Sequence, residues 1–262
     1  MPKDVWDSGH SYESYVGRWS RLVAREFLSW ARAPRQASWL DIGCGTGAVS
    51  QTILATCDPV RVVGLDPSAS FVKLARLQTP DTRASFQVGD AQALCVKPST
   101  FDAVVSGLVL NFVPDPATML DEAAAALRPD GLLGAYVWDY DGKMEMMRYF
   151  WDAARAIDSS TTDLDEGRRF PMCQPEPLRT LLAAAGLKEV NVEAVDIPTK
   201  FANFDEYWNP FLGGQGAAPA YAATLSEERK AQLREHLRLS LPFEPDGSIR
   251  LRARAWVAKG RR

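Results

Sequence analysis

Short apolar segments alternate with amphipathic ones through the first half of this chain. The apolar segments are rich in Val, Ile, Leu and Ala, and most end at glycine, proline or an acidic residue, which is typical of buried strands. The predicted strands are 38–42, 61–66, 84–88, 101–106 and 132–138. Segments 48–56, 71–77 and 116–127 lie between them and have helical character. This alternation predicts an α/β fold with a doubly wound, mostly parallel sheet.

The pattern differs at both ends of this region. Segment 11–30 has apolar and aromatic residues at helical spacing, and Pro34 closes it. After the mixed segment 141–172, we predict a helix over 176–186 and a strand over 187–197. Residues 200–247 form a long helical excursion, for which the sequence predicts capping boxes at Asn203-x-x-Glu206 and Thr224-x-x-Glu227.

The last predicted strand, 249–257, alternates strictly between apolar and arginine residues. Arg250, Arg252 and Arg254 share one face. We expect this face to be solvated or covered by a helix, although an acidic partner is the alternative.

Bulk composition excludes several classes of protein. The chain has 262 residues, of which 46% are hydrophobic and 24% charged, as in an ordinary globular protein. Its net charge of -3 disfavours general binding to nucleic-acid backbones. Residues 1–7 lack the apolar core of a signal peptide, and no apolar run is long enough to cross a bilayer. We therefore expect a cytoplasmic protein that contacts no membrane.

Four cysteines are spread along the chain without any C-x-x-C pair, at positions 44, 57, 95 and 173. The sequence contains only two histidines, His10 and His236. A structural zinc site needs closely spaced thiolate and imidazole ligands, so we expect no metal and four reduced thiols.

The glycine turn Asp41-Ile42-Gly43-Cys44-Gly45-Thr46-Gly47 follows the first predicted strand and precedes a helix. Glycines at such a turn permit positive φ and let a ligand approach without a Cβ in the way. Strand, turn and helix together are typical of a nucleotide-type site. An acid two residues before the first glycine suits a ligand with cationic groups better than a pyrophosphate.

Acidic residues end the first three predicted strands: Asp41, Asp66 and Asp90. Because the carboxyl ends of parallel strands share one edge of a sheet, these acids should face the same ligand. Asp66, about twenty residues past the turn, is placed to bind two ribose hydroxyls. Asp90 can accept a hydrogen bond from an adenine amine, and Asp41 lies where a cationic amino-acid portion would sit.

The combination of Asp-x-Gly-x-Gly-x-Gly, Gly64-Leu65-Asp66-Pro67-Ser68 and Gly89-Asp90-Ala91 resembles the class I S-adenosylmethionine-dependent methyltransferases, and the small-molecule enzymes in particular. Segments 101–106 and 127–133 resemble later motifs of the same family, so the likeness covers 38–139 well. It implies a Rossmann-like seven-stranded sheet with an antiparallel last strand and a helical lid. The cofactor contacts that it implies are Tyr15, Arg18, Asp41, Gly43, Cys44, Gly45, Asp66, Pro67, Asp90, Ala91, Gln92, Ser106 and Gly107.

Five segments make up the predicted domain organisation. An N-terminal helical cap (1–36) precedes the S-adenosylmethionine-binding core (37–140). Residues 141–199 complete the core and carry part of a lid, 200–247 form a helical lid insertion, and 248–262 supply the last strand.

Methyl transfer from a sulfonium needs alignment and exclusion of water more than a strong catalytic group. The weak candidates for a base are His10, Asp139, Tyr140 and His236. We expect the acceptor pocket beyond strands four and five, under the aromatic-rich segments 140–172 and 200–247. Those aromatics suit a small, partly apolar acceptor, and core packing within the lid is the alternative.

Four hypotheses for function remain. The leading one is transfer of a methyl group to an O, N or C atom of a small molecule by a monomer or homodimer that binds no nucleic acid. An NAD(P)-dependent oxidoreductase is the second, because Ala48 lets the turn be read as Gly-x-Gly-x-x-Ala. A non-catalytic cofactor-binding protein is the third, since fold alone does not settle function. A macromolecular methylase is the fourth and has little support from the acidic pI.

Overall fold

A computed structural model describes residues 13–213 and 216–262. The chain divides into two compact units. One, the sheet unit, comprises Ser20–Val137, Gln174–Val195 and Ala255–Arg262. The other, the aromatic unit, comprises the described residues up to Trp19 together with Trp138–Cys173 and Asp196–Arg254.

Seven strands form one sheet in the order β3-β2-β1-β4-β5-β7-β6. Their bounds are β1 Ser38–Ile42, β2 Arg61–Asp66, β3 Ala84–Val88, β4 Phe101–Gly107, β5 Leu127–Trp138, β6 Lys188–Phe201 and β7 Ile249–Arg261. The pairs β1–β2, β2–β3, β1–β4 and β4–β5 are parallel. β1 is buried along its whole length, as expected for a central strand covered on both faces. The doubly wound sheet predicted from the apolar pattern is confirmed.

The last strand, β7, is antiparallel to β5, as predicted. Asp130 N–H donates to Arg262 O, while Asp139 N–H donates to Arg254 O, so the two strands run in opposite directions. The strand predicted over 132–138 begins earlier than expected, because residues 127–131 also belong to β5. Between Leu127 and Leu132 the register against β4 shifts, and the extra residues bond to the end of β7 instead.

Helices of the sheet unit follow the predicted pattern. They are α2 Ala48–Thr56, α3 Ala69–Gln78, α4 Pro116–Ala126 and α7 Pro175–Ala184, together with most of α1, Arg18–Ala31. The Ser68 hydroxyl caps α3 by accepting from Phe71 N–H, and the Asp115 carboxylate caps α4. Ser68 follows the carboxyl end of β2, and Asp115 follows the loop after β4. Both helices therefore begin near the edge of the sheet formed by the carboxyl ends of the strands.

The aromatic unit is mainly helical. Its helices are α5 Glu145–Ile157, α6 Glu166–Arg169, α8 Phe204–Trp208, α9 Ala217–Thr224 and α10 Glu227–Ser240. The predicted cap at Asn203 is confirmed, since its Oδ1 accepts from Glu206 N–H at 2.9 Å. The predicted cap at Thr224 is wrong. Ser226 caps α10 by accepting from Arg229 N–H, while the Thr224 hydroxyl donates to Tyr221 O within the preceding helix.

Aromatic side chains of this unit pack on one another. Phe150 and Phe211 stack with ring centroids 4.4 Å apart, and Tyr207 and Trp208 both contact Phe211. The Tyr207 hydroxyl donates to Met146 O at 2.8 Å. All four of these rings are buried. Most of the aromatics considered for an acceptor pocket therefore form the core of their own unit, which was the alternative interpretation.

The arginine face of β7 is paired within the chain. Arg254 Nε lies 2.6 Å from Asp196 Oδ1, and Arg252 also approaches Asp196, at 3.5 Å. Arg250 lies 3.8 Å from Glu244. Carboxylates of the same chain, rather than a covering helix, therefore neutralise the charges on the arginine face of β7.

Candidate functional site

The glycine turn has the backbone geometry that its sequence predicts. Gly43, Gly45 and Gly47 have φ of 72°, 53° and 93°. The N–H groups of Gly43 and Cys44 both donate to Leu65 O, at 2.7 and 2.9 Å, so the turn is tied to β2. Only glycine adopts this sequence of positive φ angles without strain.

Two glycines of the turn differ in what surrounds them. A Cβ on Gly43 would overlap the side chain of Val109, in the loop after β4. A Cβ on Gly45 would have nothing within 4 Å. The backbone at Gly45 therefore borders open space, as a surface that a ligand approaches closely must.

Asp66 is 7% exposed and lies against the same turn. Its Oδ2 accepts from Gly45 N–H and its Oδ1 from Ser68 N–H, both at 2.9 Å. Burial raises the pKa of this carboxyl, and the two backbone N–H groups partly offset the shift. Each oxygen keeps a further lone pair, so the carboxylate can still accept from ligand hydroxyls.

Asp41 is completely buried at the end of β1. Its Oδ2 accepts from the Ser50 hydroxyl at 2.6 Å, whereas Oδ1 has no hydrogen-bond partner among the described residues. Burial raises the pKa of Asp41 to about 7, with the nearby Asp66 charge acting in the same direction and Ser50 against it. Ser50, one turn into α2, was not identified from the sequence.

The third acid, Asp90, is exposed after β3, and its Oδ1 accepts from Gln92 N–H at 2.9 Å. Gln92 Oε1 in turn accepts from Asp115 N–H at 3.2 Å. Ala91 is partly buried, and Pro67 is exposed after β2. The structure thus places all four residues at or just after strand ends, with Asp90 accessible to a ligand.

The end of β4 contains a buried hydroxyl and unusual backbone positions. Ser106 is 4% exposed and its hydroxyl has no hydrogen-bond partner in the described part of the chain. A Cβ on the next residue, Gly107, would lie 2.5 Å from the Tyr136 hydroxyl oxygen, so that position requires glycine. Leu108 follows with φ of 62°, a conformation that non-glycine residues rarely adopt.

Asn111, three residues further on, is 8% exposed, and neither atom of its carboxamide has a partner among the described residues. The sequence did not identify Asn111 as a candidate, because it belongs to none of the motifs that were recognised. The available signal was a single amide within the apolar run Leu108-Val109-Leu110-Asn111-Phe112-Val113.

Tyr15 and Arg18 belong to the aromatic unit. Tyr15 is buried, with its ring edge-on to Phe211 at 5.6 Å. Arg18 Nη1 lies 2.7 Å from Glu206 Oε1, and the guanidinium stacks over Trp19 and Phe201. The Nε and Nη2 atoms of Arg18 are buried without a partner in the described residues. Donors therefore remain on Arg18 in addition to its ion pair.

The candidates for a catalytic base occupy different environments. Asp139 is buried, and its two oxygens accept from Gly142 and Lys143 N–H groups at 3.1 and 2.9 Å, which holds the following turn. Tyr140 is buried with its ring 5.6 Å from that of Phe170. His236 is exposed on α10, and His10 lies outside the described residues.

A metal site and a binding cleft each place requirements on the described residues. Among the residues that the structure describes, no group of three His, Cys, Asp or Glu side chains is arranged to hold a metal ion. A shallow depression of about 560 Å³ lies beside Gln51, Thr79 and Asp81, and none of the predicted contact residues lines it. All four cysteines are free, and Cys95 alone among them is exposed. No described helix has the length and apolarity to cross a bilayer.

Substituting the two glycines separately should distinguish folding from ligand approach. Gly43→Ala is expected to destabilise the protein by about 2–4 kcal/mol, because positive φ and overlap with Val109 both oppose the new methyl group. Gly45→Ala should cost only about 1 kcal/mol, from φ alone, yet fill the open surface. Urea unfolding and titration with S-adenosylhomocysteine measure the two effects. Unimpaired ligand binding by Gly45→Ala would contradict the assignment of this surface.

Known proteins resemble the stretch of the chain that contains the glycine turn and its acidic residues. Residues 40–135 match the family model described as a methyltransferase domain. A trans-aconitate 2-methyltransferase from Azoarcus is 30% identical over 129 residues, which are 49% of this chain and 49% of the relative. The chain spans between about a third and half of the length of the curated relatives that it matches first.

Solved structures extend the likeness in fold. A structure from Bacillus halodurans has a TM-score of 0.61 at 16% identity and covers 91% of this chain and 97% of its own. An N-methyltransferase from Haemonchus contortus, solved with phosphomonomethylethanolamine and S-adenosylhomocysteine, has a TM-score of 0.58 at 16% identity. It covers 96% of this chain and 56% of that one.

The glycine-turn motif, the parallel strands and the match to the family model all lie in the same stretch of the chain. Enzymes of this family use S-adenosylmethionine. Residues 40–135 therefore match a methyltransferase domain, and the glycine turn and its acidic residues lie in this stretch of the chain.

Proposed function

We propose that this protein transfers a methyl group from S-adenosylmethionine to a small-molecule acceptor. The observation that carries the proposal is the contact between the glycine turn and the carboxylate of β2. Gly45 N–H bonds to Asp66 at 2.9 Å beside backbone that a Cβ would not obstruct. A carboxylate held against an open glycine turn is the arrangement that a nucleoside ribose requires.

The order of the three strand-end acids along the sheet sets the proposed orientation of the cofactor. In our proposal Asp66 accepts from the ribose hydroxyls, and exposed Asp90, with Pro67, Ala91 and Gln92, holds the adenine. The methionine portion lies over Gly43, Cys44 and Gly45, with Ser106 and Gly107 beyond it. Asp41 supplies the negative charge for the ammonium, which its unpaired Oδ1 supports.

Binding and alignment are the main tasks of these residues. The cofactor, when bound, supplies a methyl group already attached to a good leaving group. The protein must therefore hold the acceptor atom in line with the methyl–sulfur bond and keep water away. The buried amide of Asn111, in the loop after β4, can orient an acceptor without changing charge. A strong base is not required if the acceptor atom already has a free lone pair.

Arg18 remains a proposed contact for a ligand carboxylate. Its ion pair with Glu206 uses one guanidinium nitrogen, while Nε and Nη2 have no partner among the described residues. Arginine binds carboxylates through two adjacent nitrogens, so these two atoms form a suitable pair of donors. Both rings under the guanidinium, Trp19 and Phe201, fix its plane.

Small molecules are the proposed acceptor class for two reasons. Of the proteins compared above, one is named for trans-aconitate and another was solved with phosphomonomethylethanolamine, and both compounds are small molecules. The net charge of -3 gives no support for an extended polyanion as substrate.

A labelling experiment tests the proposed activity. Purified protein is incubated with S-adenosylmethionine carrying a tritiated methyl group and, separately, with low-mass metabolites, total protein or total RNA from the same cells. We expect tritium in the low-mass fraction, no transfer with Asp66→Ala, and unchanged transfer with Asp121→Ala, which removes an exposed acid of α4. Labelling confined to protein or RNA would contradict a small-molecule acceptor.

A further inference from the structure

Asn111 has a buried carboxamide that no described residue of the chain satisfies. The residue is 8% exposed, and both Oδ1 and Nδ2 are without a hydrogen-bond partner in the described part of the chain. Buried polar side chains are nearly always paired in native proteins, because each unpaired group loses its hydrogen bonds to water. The described residues around this amide therefore give no structural reason for burying it.

The position of Asn111 ties it to the proposed cofactor site. It lies in the short helical turn Leu110–Phe112, between the end of β4 and the start of α4. The same loop contains Val109, whose side chain packs directly on Gly43 of the glycine turn. Ser106, at the end of β4, has a buried hydroxyl that also lacks a partner among the described residues. Two buried polar side chains without described partners thus lie at the end of β4 and in the loop that follows it.

Strand order indicates which part of a ligand this loop faces. From the sheet edge inwards the strands run β3, β2, β1 and β4. In the proposed function, β3 holds the adenine through Asp90, β2 the ribose through Asp66, and β1 the methionine portion through Asp41. The next strand, β4, then lies beyond the methyl group, on the side from which an acceptor must attack.

We infer that Asn111 binds the methyl acceptor through an uncharged group that both donates and accepts a hydrogen bond, such as a hydroxyl. A carboxamide offers one acceptor, Oδ1, and donors on Nδ2, so a hydroxyl beside a second oxygen would satisfy both atoms. The cofactor's methionine end is ionic and has Asp41 as its counter-charge. A neutral amide is a poor match for that end and a good match for a neutral polar acceptor. Asn111 is a specificity-determining residue in this account, which rests on the proposed function.

Asn111→Leu is the first variant to make, because leucine has a similar volume and no polar atom. We expect the melting temperature of the free protein to rise by roughly 2–4 °C, since two unpaired buried atoms are removed. Affinity for S-adenosylhomocysteine should stay within about twofold. Methyl transfer to the low-mass fraction should fall by about 100-fold, as for sites that lose a buried hydrogen bond to substrate.

A matched control and a second variant sharpen the result. Thr199→Val removes the buried hydroxyl of a residue on β6, which has no partner among the residues that the structure describes, and should leave transfer unchanged. Asn111→Asp keeps an acceptor for a ligand hydroxyl, so it should retain more transfer than Asn111→Leu. If the acceptor group were a carboxylate, the added charge would make Asn111→Asp the worse of the two.

Several results would overturn the inference. A lower melting temperature in Asn111→Leu would make the amide structural, and affinity for S-adenosylhomocysteine reduced by more than about tenfold would make it a cofactor contact. Undiminished transfer by Asn111→Leu would remove its role while leaving the proposed function intact. Wild-type protein that binds S-adenosylhomocysteine but labels no low-mass compound would contradict the proposed function and the inference with it.

Discussion

Asp66→Ala is expected to weaken binding of S-adenosylhomocysteine at least about 100-fold. A carboxylate that accepts from two ribose hydroxyls contributes roughly 3 kcal/mol or more, since hydrogen bonds to charged groups are the stronger kind. The substitution also frees Gly45 N–H, which Asp66 now holds at 2.9 Å, so the turn loses its link to β2 through this side chain. Isothermal titration calorimetry measures the affinity, and circular dichroism checks that the fold is retained.

The matched control for this experiment is Asp121→Ala. Asp121 is an exposed acid of α4 in the same unit, so the variant changes net charge equally and touches no part of the glycine turn. We expect its affinity to match that of wild type. An Asp66→Ala protein that is folded and still binds S-adenosylhomocysteine within about threefold of wild type would rule out the ribose assignment, since that is under 1 kcal/mol.

Asp41→Asn is expected to stabilise the free protein while weakening cofactor binding. Burial raises the pKa of Asp41 from 3.8 to about 7, so the folded state holds its proton more tightly than the unfolded state. Stability from this group is fully present below pH 4 and is lost as pH rises towards 7. The loss amounts to about 4 kcal/mol, at roughly 1.4 kcal/mol for each unit of pKa. Asparagine keeps a side-chain oxygen for Ser50 and carries no charge, so it avoids this loss.

The difference between wild type and Asp41→Asn isolates this one group. By urea unfolding, the advantage of the variant should be about 2 kcal/mol larger at pH 8 than at pH 5.5, because other titrating groups cancel. An advantage that does not change with pH would show that Asp41 titrates normally.

The pH dependence of cofactor affinity is a second test of the role of Asp41. If its carboxylate binds the ammonium of the ligand, wild-type affinity for S-adenosylhomocysteine should rise by up to about tenfold per pH unit below pH 7 and then level off. Asp41→Asn should bind more weakly at pH 8 and lack this pH dependence. The same pH profile in both proteins would place the ammonium elsewhere.

Much of the sheet unit could be predicted from the sequence, because its signals are local. β1, β2 and β3 have the predicted bounds, since apolar runs ended by glycine, proline or aspartate leave little choice. The extension of β5 to Leu127 could not be predicted. Pro129-Asp130-Gly131 has the composition of a turn, and only pairing with the distant Arg262 keeps it in the strand.

Caps show the same division between local and tertiary information. The cap at Asn203 was correctly predicted. The cap of α10 is Ser226 and not Thr224, because α9 extends as far as Thr224. That end is set by packing of α9 within the aromatic unit, which no local pattern specifies.

For the site, the spacing of the motifs predicts which residues lie close together, but it does not predict how far each one is buried. Asp41 sits two residues before Gly43, so its place at the turn followed from sequence, yet its complete burial and its bond to Ser50 did not. Asn111 is the reverse case. Its residue type carries no motif, and its role emerges only because tertiary packing leaves its amide buried and unpaired.

The most direct test of the cofactor assignment is calorimetric titration of the wild-type protein with S-adenosylhomocysteine, S-adenosylmethionine, NAD and NADP. Our account predicts saturable binding of the two adenosyl ligands at one site per chain and no detectable heat from either nicotinamide. Binding of NAD or NADP in place of the adenosyl ligands would contradict it, and so would the absence of binding by all four.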